Sequence, residues 1–316
     1  REFRSSYRGC LSTRWPASRR RTSTRDLSQF RSPGTLWRPG CGLWSPCHKI
    51  REVVRSLAKA SARNRRMARV SFPSFPLVSW HRGGQEIHPS ASREAFVAAL
   101  ERGAELVEID VRCTRDGFLV CYHDEHLPNG LAVRDVSRDD VVSLMSWSEF
   151  VALLNESDPN RRTGVHLDLK DVGYELFAVD PLITTHRPFF VTSLEKQSIQ
   201  LLRQERPDED AFLTVGRDRG SRSRWSRWWL RASEIFPYVN VMSTKATGVA
   251  IHHSLLRPRL VRWLRRRNLR VVVWTVNGRD AMAHLFAGRS IDALTTNFPL
   301  KALAVRGERT AARMAE

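Results

Sequence analysis

The 316-residue sequence has no run of about 18 apolar residues, the length a membrane span needs, and no apolar segment shaped like the core of a secretory signal. Its five cysteines do not form a disulfide framework. Three lie near the N-terminus, and Cys113 and Cys121 lack metal-box spacing, so the expected compartment is a reducing cytosol (cytoplasmic). No G-x-G-x-x-G follows the first strand-like run, which removes the main support for dinucleotide binding. Acids are scarce in one region only. Residues 1–70 carry 18 Lys and Arg against Glu2, Asp26 and Glu52, and so hold +15 of the formal charge of +19. The remaining 246 residues are close to balance at +4, so any nucleic-acid binding is expected through the tail and not through the folded domain.

Residues 1–70 are rich in Ser, Arg, Pro and Gly and hold no sustained helical or strand period. They read as a disordered basic extension ahead of a single domain at 71–316. The first methionine is Met67, and the expectation is that the natural protein starts near it, with 1–66 as translated upstream sequence. A transit peptide or a basic arm are the other readings.

From about residue 76, strand and helix patterns alternate. Strand-like runs are PLVSW, ELVEIDVRC with its companion FLVCYHD, GVHLDLK, PFFVTS, AFLTVG, YVNVMS, VVVWTVN and IDALTT, eight units when the companion is counted with its neighbour. Helical runs between them include SREAFVAALERGA, SWSEFVALLN, EKQSIQLLRQE, RPRLVRWLRRRN and RDAMAHLFAG. Continuous apolar strands separated by helices predict a parallel sheet covered on both faces. Eight such units in roughly 240 residues fit a closed (β/α)8 TIM barrel, whose active site lies at the C-terminal ends of the strands.

Polar residues fall at those ends: His81-Arg82-Gly83-Gly84, Glu108 and Asp110, His123-Asp124, Asp168 and Lys170, Asn277, and Thr296-Asn297. Side chains two apart on a strand share a face, so Glu108 points with Asp110 and Asp168 with Lys170. Carboxylates forced together either take up a proton or gather around a cation. With Asp168 they make three oxygen donors, the set that hard Mg²⁺ or Ca²⁺ prefers. The competing reading is that Glu108 and Asp110 pair with arginines at the barrel rim. Arg82 can fork onto a phosphate, Lys170 adds a point charge, and His81 and His123 can exchange protons. Together these are the parts of a phosphodiester-cleaving site. His166 lies one layer deeper than Asp168 on the same face and reads as a hydrogen-bonded interior residue. In SRSRWSRWWLR (221–231), tryptophans at helical spacing read as an outer barrel helix, or as a peripheral lipid contact.

The stretch 76–305 resembles the glycerophosphodiester phosphodiesterase family. The resemblance rests on HRGG (81–84), AELVEIDVRCTRDGFLVCYHDEHL (104–127), HLDLK (166–170), VVVWTVN (271–277) and IDALTTNFP (291–299), in family order. It implies a metal-dependent barrel that hydrolyses glycerophosphodiesters to sn-glycerol 3-phosphate and an alcohol. One divalent cation, Mg²⁺ or Ca²⁺, would sit on Glu108, Asp110 and Asp168. By the same resemblance His81 and His123 match the acid/base pair, Arg82 and Lys170 the phosphate contacts, and Trp274 the aromatic beside the glycerol. The expected partner is a small-molecule glycerophosphodiester or lysolipid. The alternatives are a lysophospholipase D-like or polyol-phosphate activity on the same barrel, or a catalytically silent barrel that binds phosphodiesters. The sequence departs from the family pattern where HPSAS (88–92) lacks an acid, with Glu86 displaced nearby, where LPNG follows His123-Asp124-Glu125-His126, where Asp168 replaces the usual Glu, and where Asn297 stands in the closing Thr-Asp-x-Pro.

Overall fold

The structure, a computed structural model, describes residues 70–73, 75–216, 238–288 and 290–315. The basic extension expected over 1–70 and the Trp/Arg segment 221–231 lie outside the described residues, apart from Val70.

Eight parallel strands close on themselves. They are β1 (Leu77–Trp80), β2 (Leu106–Cys113), β4 (Gly164–Leu169), β5 (Phe189–Ser193), β6 (Ala211–Val215), β7 (Gly248–His252), β8 (Arg270–Trp274) and β9 (Ala293–Thr296). Closure comes from β1, which pairs with β2 on one side and β9 on the other. A short antiparallel strand, β3 (Leu119–Cys121), folds back along the upper half of β2. The helices between strands are α1 (Arg93–Glu101), α2 (Trp147–Ser157), α3 (Glu175–Thr184), α4 (Lys196–Glu205), α5 (Tyr238–Thr244), α6 (Pro258–Arg265) and α7 (Arg279–Ala287), and α8 (Pro299–Ala315) follows the last strand. The sequence marks several starts directly: Ser92 caps α1, and Ser146 with Glu149 forms a capping box on α2.

Two expectations about elements need correction. YVNVMS, read as the sixth strand unit, is instead helix α5, and GVAIH at 248–252 is the strand. Alternating valines looked like a strand, yet burial follows a helical step, with Val241 and Thr244 inside while Val239 and Met242 face out. The true strand starts at a glycine because the Phe212 ring of β6 occupies the space, and a Cβ on Gly248 would come within 2.6 Å of it. Helix α3 went unread because it holds Pro181 and is apolar on most sides, which blurs the stripe. The count of eight units survives both changes.

The barrel interior is layered. Its lower part is apolar, built from Leu77, Leu106, Phe190, Phe212, Ala250, Val272 and Ala293, with Val70 and Phe72 beneath. Phe190 stacks on Phe212 at 4.8 Å, and Phe72 sits 5.9 Å from Phe190, closing the N-terminal end. Above this floor the inward positions turn polar, starting with the aligned pair Glu108 and His166 and continuing with Asp110 and Asp168.

One buried ion pair ties the outer layer to the barrel. Arg187, 1% exposed, meets Asp158 Oδ2 at 2.6 Å and donates to the carbonyls of Leu154 and Asp158 at the end of α2. Asp158 Oδ2 also accepts from the Thr163 amide at 2.8 Å. Removing one partner strands the other charge. Asp158→Ala should therefore lower unfolding stability by about 3–5 kcal/mol in urea titration, and an unchanged midpoint would contradict this account of the pair.

Candidate active site

The turn after β1 begins the site. Arg82, Gly83 and Gly84 have φ of 51°, 78° and 84°, three left-handed residues in a row. A Cβ on Gly83 would lie 2.9 Å from the Ala95 backbone, and one on Gly84 would lie 2.9 Å from Pro299. The glycines thus let the turn press between α1 and α8. Arg82 has no such exemption, and its αL backbone costs about 1–3 kcal/mol. That conformation turns the Arg82 amide onto Glu108 Oε2 at 2.9 Å and its Nε onto Asp110 Oδ2 at 2.7 Å.

Glu108, Asp110 and Asp168 converge, each offering an oxygen within 4.8 Å of the others. Lys170 lies among them, with Nζ 2.7 Å from Asp110 Oδ1 and in contact with Asp168 Oδ2. Thr192 on β5 donates to Asp168 Oδ1, and His166 beneath bridges Thr192 Oγ1 at 3.0 Å and Ser79 Oγ at 3.1 Å. His166 is therefore the hydrogen-bonded interior residue expected, and it orients Asp168 through Thr192. The acids form a shared oxygen cluster, and within it Asp110 pairs with the rim arginine Arg82 and with Lys170.

His81 extends over this cluster, with Nε2 3.9 Å from Glu108 Oε2. Its Nδ1 donates to Asn297 Oδ1 at 2.5 Å, and the Asn297 amide is in turn held by Asn277 Oδ1 at 3.0 Å. The expected departure at Asn297 thus has a structural role, since it sets the His81 ring. His123 stands at the rim, more exposed, with Nδ1 2.7 Å from Asp124 Oδ1. The preceding Tyr122 amide donates to the Asp110 carbonyl, which carries His123 back to the level of the acids. Trp274 ends β8 beside His252, ring edge to ring face at 5.1 Å, two strands round from β1. Glu86 is not part of the cluster; its carboxylate accepts the Leu300 and Lys301 amides and caps α8.

Sequence reading missed Arg112 and Asp171. Arg112 shares the inward face with Glu108 and Asp110, its Nε donates to the His123 carbonyl at 3.0 Å, and Asp171 holds its Nη1 at 2.8 and 2.9 Å. The two-residue step from Asp110 was the available signal.

Charge decides the protonation pattern. Burial, then the neighbouring Asp110, push the Glu108 carboxyl well above the carboxylate range. Burial acts the same way on Asp110, but Lys170 and Arg82 outweigh it and hold that group far below its usual value. Burial likewise opposes the Lys170 charge, which Asp110 and Asp168 nonetheless reinforce. Burial, then Arg82, lowers His81 to about 4, leaving a neutral ring at pH 7. Three carboxylates thus face two fixed cations, and the cluster retains a demand for positive charge that a hard divalent ion on oxygen donors fits.

A closed parallel barrel with acids, cations and imidazoles at its C-terminal rim holds these groups where barrel enzymes carry their active sites. The sequence profile of the glycerophosphoryl diester phosphodiesterase family matches residues 81–180 and 175–301. The chain belongs to that family. A Caldanaerobacter subterraneus glycerophosphodiester phosphodiesterase is 22% identical over 244 residues, 71% of this chain and 94% of its own. A 52-residue stretch, 16% of this chain, is 50% identical to the Mycobacterium tuberculosis protein named "Probable glycerophosphodiester phosphodiesterase 1", of whose length it spans 19%. In fold, the chain is similar to a Parabacteroides distasonis glycerophosphodiester phosphodiesterase, with a TM-score of 0.60, 18% identity and coverage of 74% of this chain and 98% of that one. It is also similar to an Oleispira antarctica phosphodiesterase in complex with the product sn-glycerol-3-phosphate, with a TM-score of 0.58, 19% identity and coverage of 73% and 96%.

The raised Glu108 group has a measurable consequence. Above the ordinary glutamate value of 4.5 the folded protein keeps a proton that the unfolded chain has released. Stability therefore falls as pH rises through that window, by up to about 1.4 kcal/mol per pH unit. In chelator-treated protein the unfolding free energy of the parent should drop relative to Glu108→Gln from pH 5 upward. Parallel curves would show that Glu108 is not under this strain.

Proposed function

We propose that this protein hydrolyses glycerophosphodiesters to sn-glycerol 3-phosphate and an alcohol. The observation that carries the reading is the convergence of Glu108, Asp110 and Asp168 beneath His81 at the strand ends. The product named for the Oleispira antarctica neighbour supports the same substrate class.

Glu108, Asp110 and Asp168 would hold one divalent cation, Mg²⁺ or Ca²⁺, which when bound neutralises charge on the phosphate oxygens. Arg82 and Lys170 bear the cations that orient the phosphate, each anchored on Asp110. His81 is the base. Its Nδ1 proton is committed to Asn297, it is neutral at pH 7, and Nε2 is the atom left to take a proton from the nucleophile, either the glycerol 2-hydroxyl or water. His123, whose Nδ1 is engaged by Asp124, delivers a proton from Nε2 to the leaving alkoxide. Trp274 gives the glycerol backbone an apolar wall at the mouth. No described helix is long and apolar enough to cross a membrane.

Release of glycerol 3-phosphate from a panel of glycerophosphodiesters and lysolipids should stop in EDTA and return with Mg²⁺ or Ca²⁺. His81→Ala or His123→Ala should lower the rate at least about 10²-fold. Activity that survives EDTA, or a His123→Ala rate equal to the parent's, would overturn the respective part of the reading.

A further inference from the structure

Away from the barrel mouth, α6 carries a row of arginines that the catalytic reading does not use. Arg259, Arg262 and Arg266 stand at i, i+3 and i+7, so they share one helix face, with Trp263 between them. All three are exposed, and none makes an ion pair among the described residues, whereas Arg265 on the same helix is tied to Asp292 at 2.9 Å. Together with Tyr238 of α5 they line a cleft of about 530 Å³. The aromatic floor is ordered: Tyr238 meets the Trp263 ring edge-on at 4.7 Å, and Arg267 lies 4.2 Å over the same indole. The helix is pinned from behind by buried Leu260, Val261 and Leu264.

We infer that this cleft is a docking surface for an anionic phospholipid membrane. Guanidinium groups fork onto phosphate oxygens, and an indole and a phenol beside them suit the headgroup level, where one end of a ring is apolar and the other wet. What favours a lipid surface over a nucleic acid is the next turn of α5. Met242 lies one turn from Tyr238 on the same face, beside Val239, and these two apolar side chains are 56% and 77% exposed. Such groups have nothing to bury against on a phosphate backbone, but enter the acyl boundary of a bilayer. The surface lies on the outer wall of the barrel, with its Arg259 end at the side where β7 delivers the chain to the rim.

The test uses the full chain and measures apparent affinity for phosphatidylglycerol vesicles, phosphatidylcholine vesicles and a DNA duplex. The basic N-terminal charge is the same in every variant, so comparison with the parent isolates the cleft. The triple variant Arg259→Gln/Arg262→Gln/Arg266→Gln should lose about 10²-fold on phosphatidylglycerol. Val239→Ser/Met242→Ser, which changes no charge, should lose about 10-fold on the same vesicles and nothing on the duplex. Matching thermal melts establish that the variants are folded. Undiminished vesicle binding by the triple variant would overturn the proposal. So would a loss confined to the duplex, which would assign the cleft to nucleic acid, or vesicle binding indifferent to Val239→Ser/Met242→Ser.

Discussion

Mutual repulsion among Glu108, Asp110 and Asp168 is the constraint that arranges the mouth of this barrel. Two unit charges about 4 Å apart at an effective dielectric near 20 repel by about 4 kcal/mol, and each of these groups lies within 4.8 Å of the other two. Two answers are built in. Lys170 inserts its ammonium between Asp110 and Asp168, and Arg82 lays its guanidinium on Asp110. They leave one negative charge in excess, and burial throws that excess onto Glu108 as a raised proton affinity. The same imbalance makes the cluster receptive to a small, hard cation.

The surrounding structure serves this arrangement. A left-handed Arg82 followed by two glycines turns an amide and a guanidinium onto two different carboxylates. The Ser79–His166–Thr192 chain supports Asp168 from below, and Asn277 and Asn297 fix His81 from the side. Arg112, clamped by Asp171, ties down the carbonyl of His123. Precision at the mouth therefore comes from contacts between neighbouring strands, which a rigid apolar floor of stacked phenylalanines keeps in register.

How much of this could be read from the sequence depended on the range of the interaction. Glu108 with Asp110, and Asp168 with Lys170, are local statements, because a two-residue step on a strand fixes a common side. The eight-unit repeat was equally local, which is why barrel closure was foreseen. What escaped was set by distant partners. YVNVMS reads as a strand until Val239 and Met242 are seen to face outward, and Gly248 is intelligible only once the Phe212 ring fills the space where its Cβ would be. Glu86, near the site in sequence, is drawn instead to the amides opening α8, more than two hundred residues away. Asn297 looked like a lapse from the family pattern until its oxygen was found on His81.

The proposed chemistry rests on one claim, that the three carboxylates form a single cation site sharing its charge balance with Glu108. Calorimetric titration of chelator-treated protein with Ca²⁺ or Mg²⁺, in buffers of differing ionisation heat, tests it most directly. The account predicts one saturable site whose occupation releases a proton, with saturation lost in Asp110→Asn and the proton release lost in Glu108→Gln. Absence of saturable heat, or binding unchanged in Asp110→Asn, would contradict it.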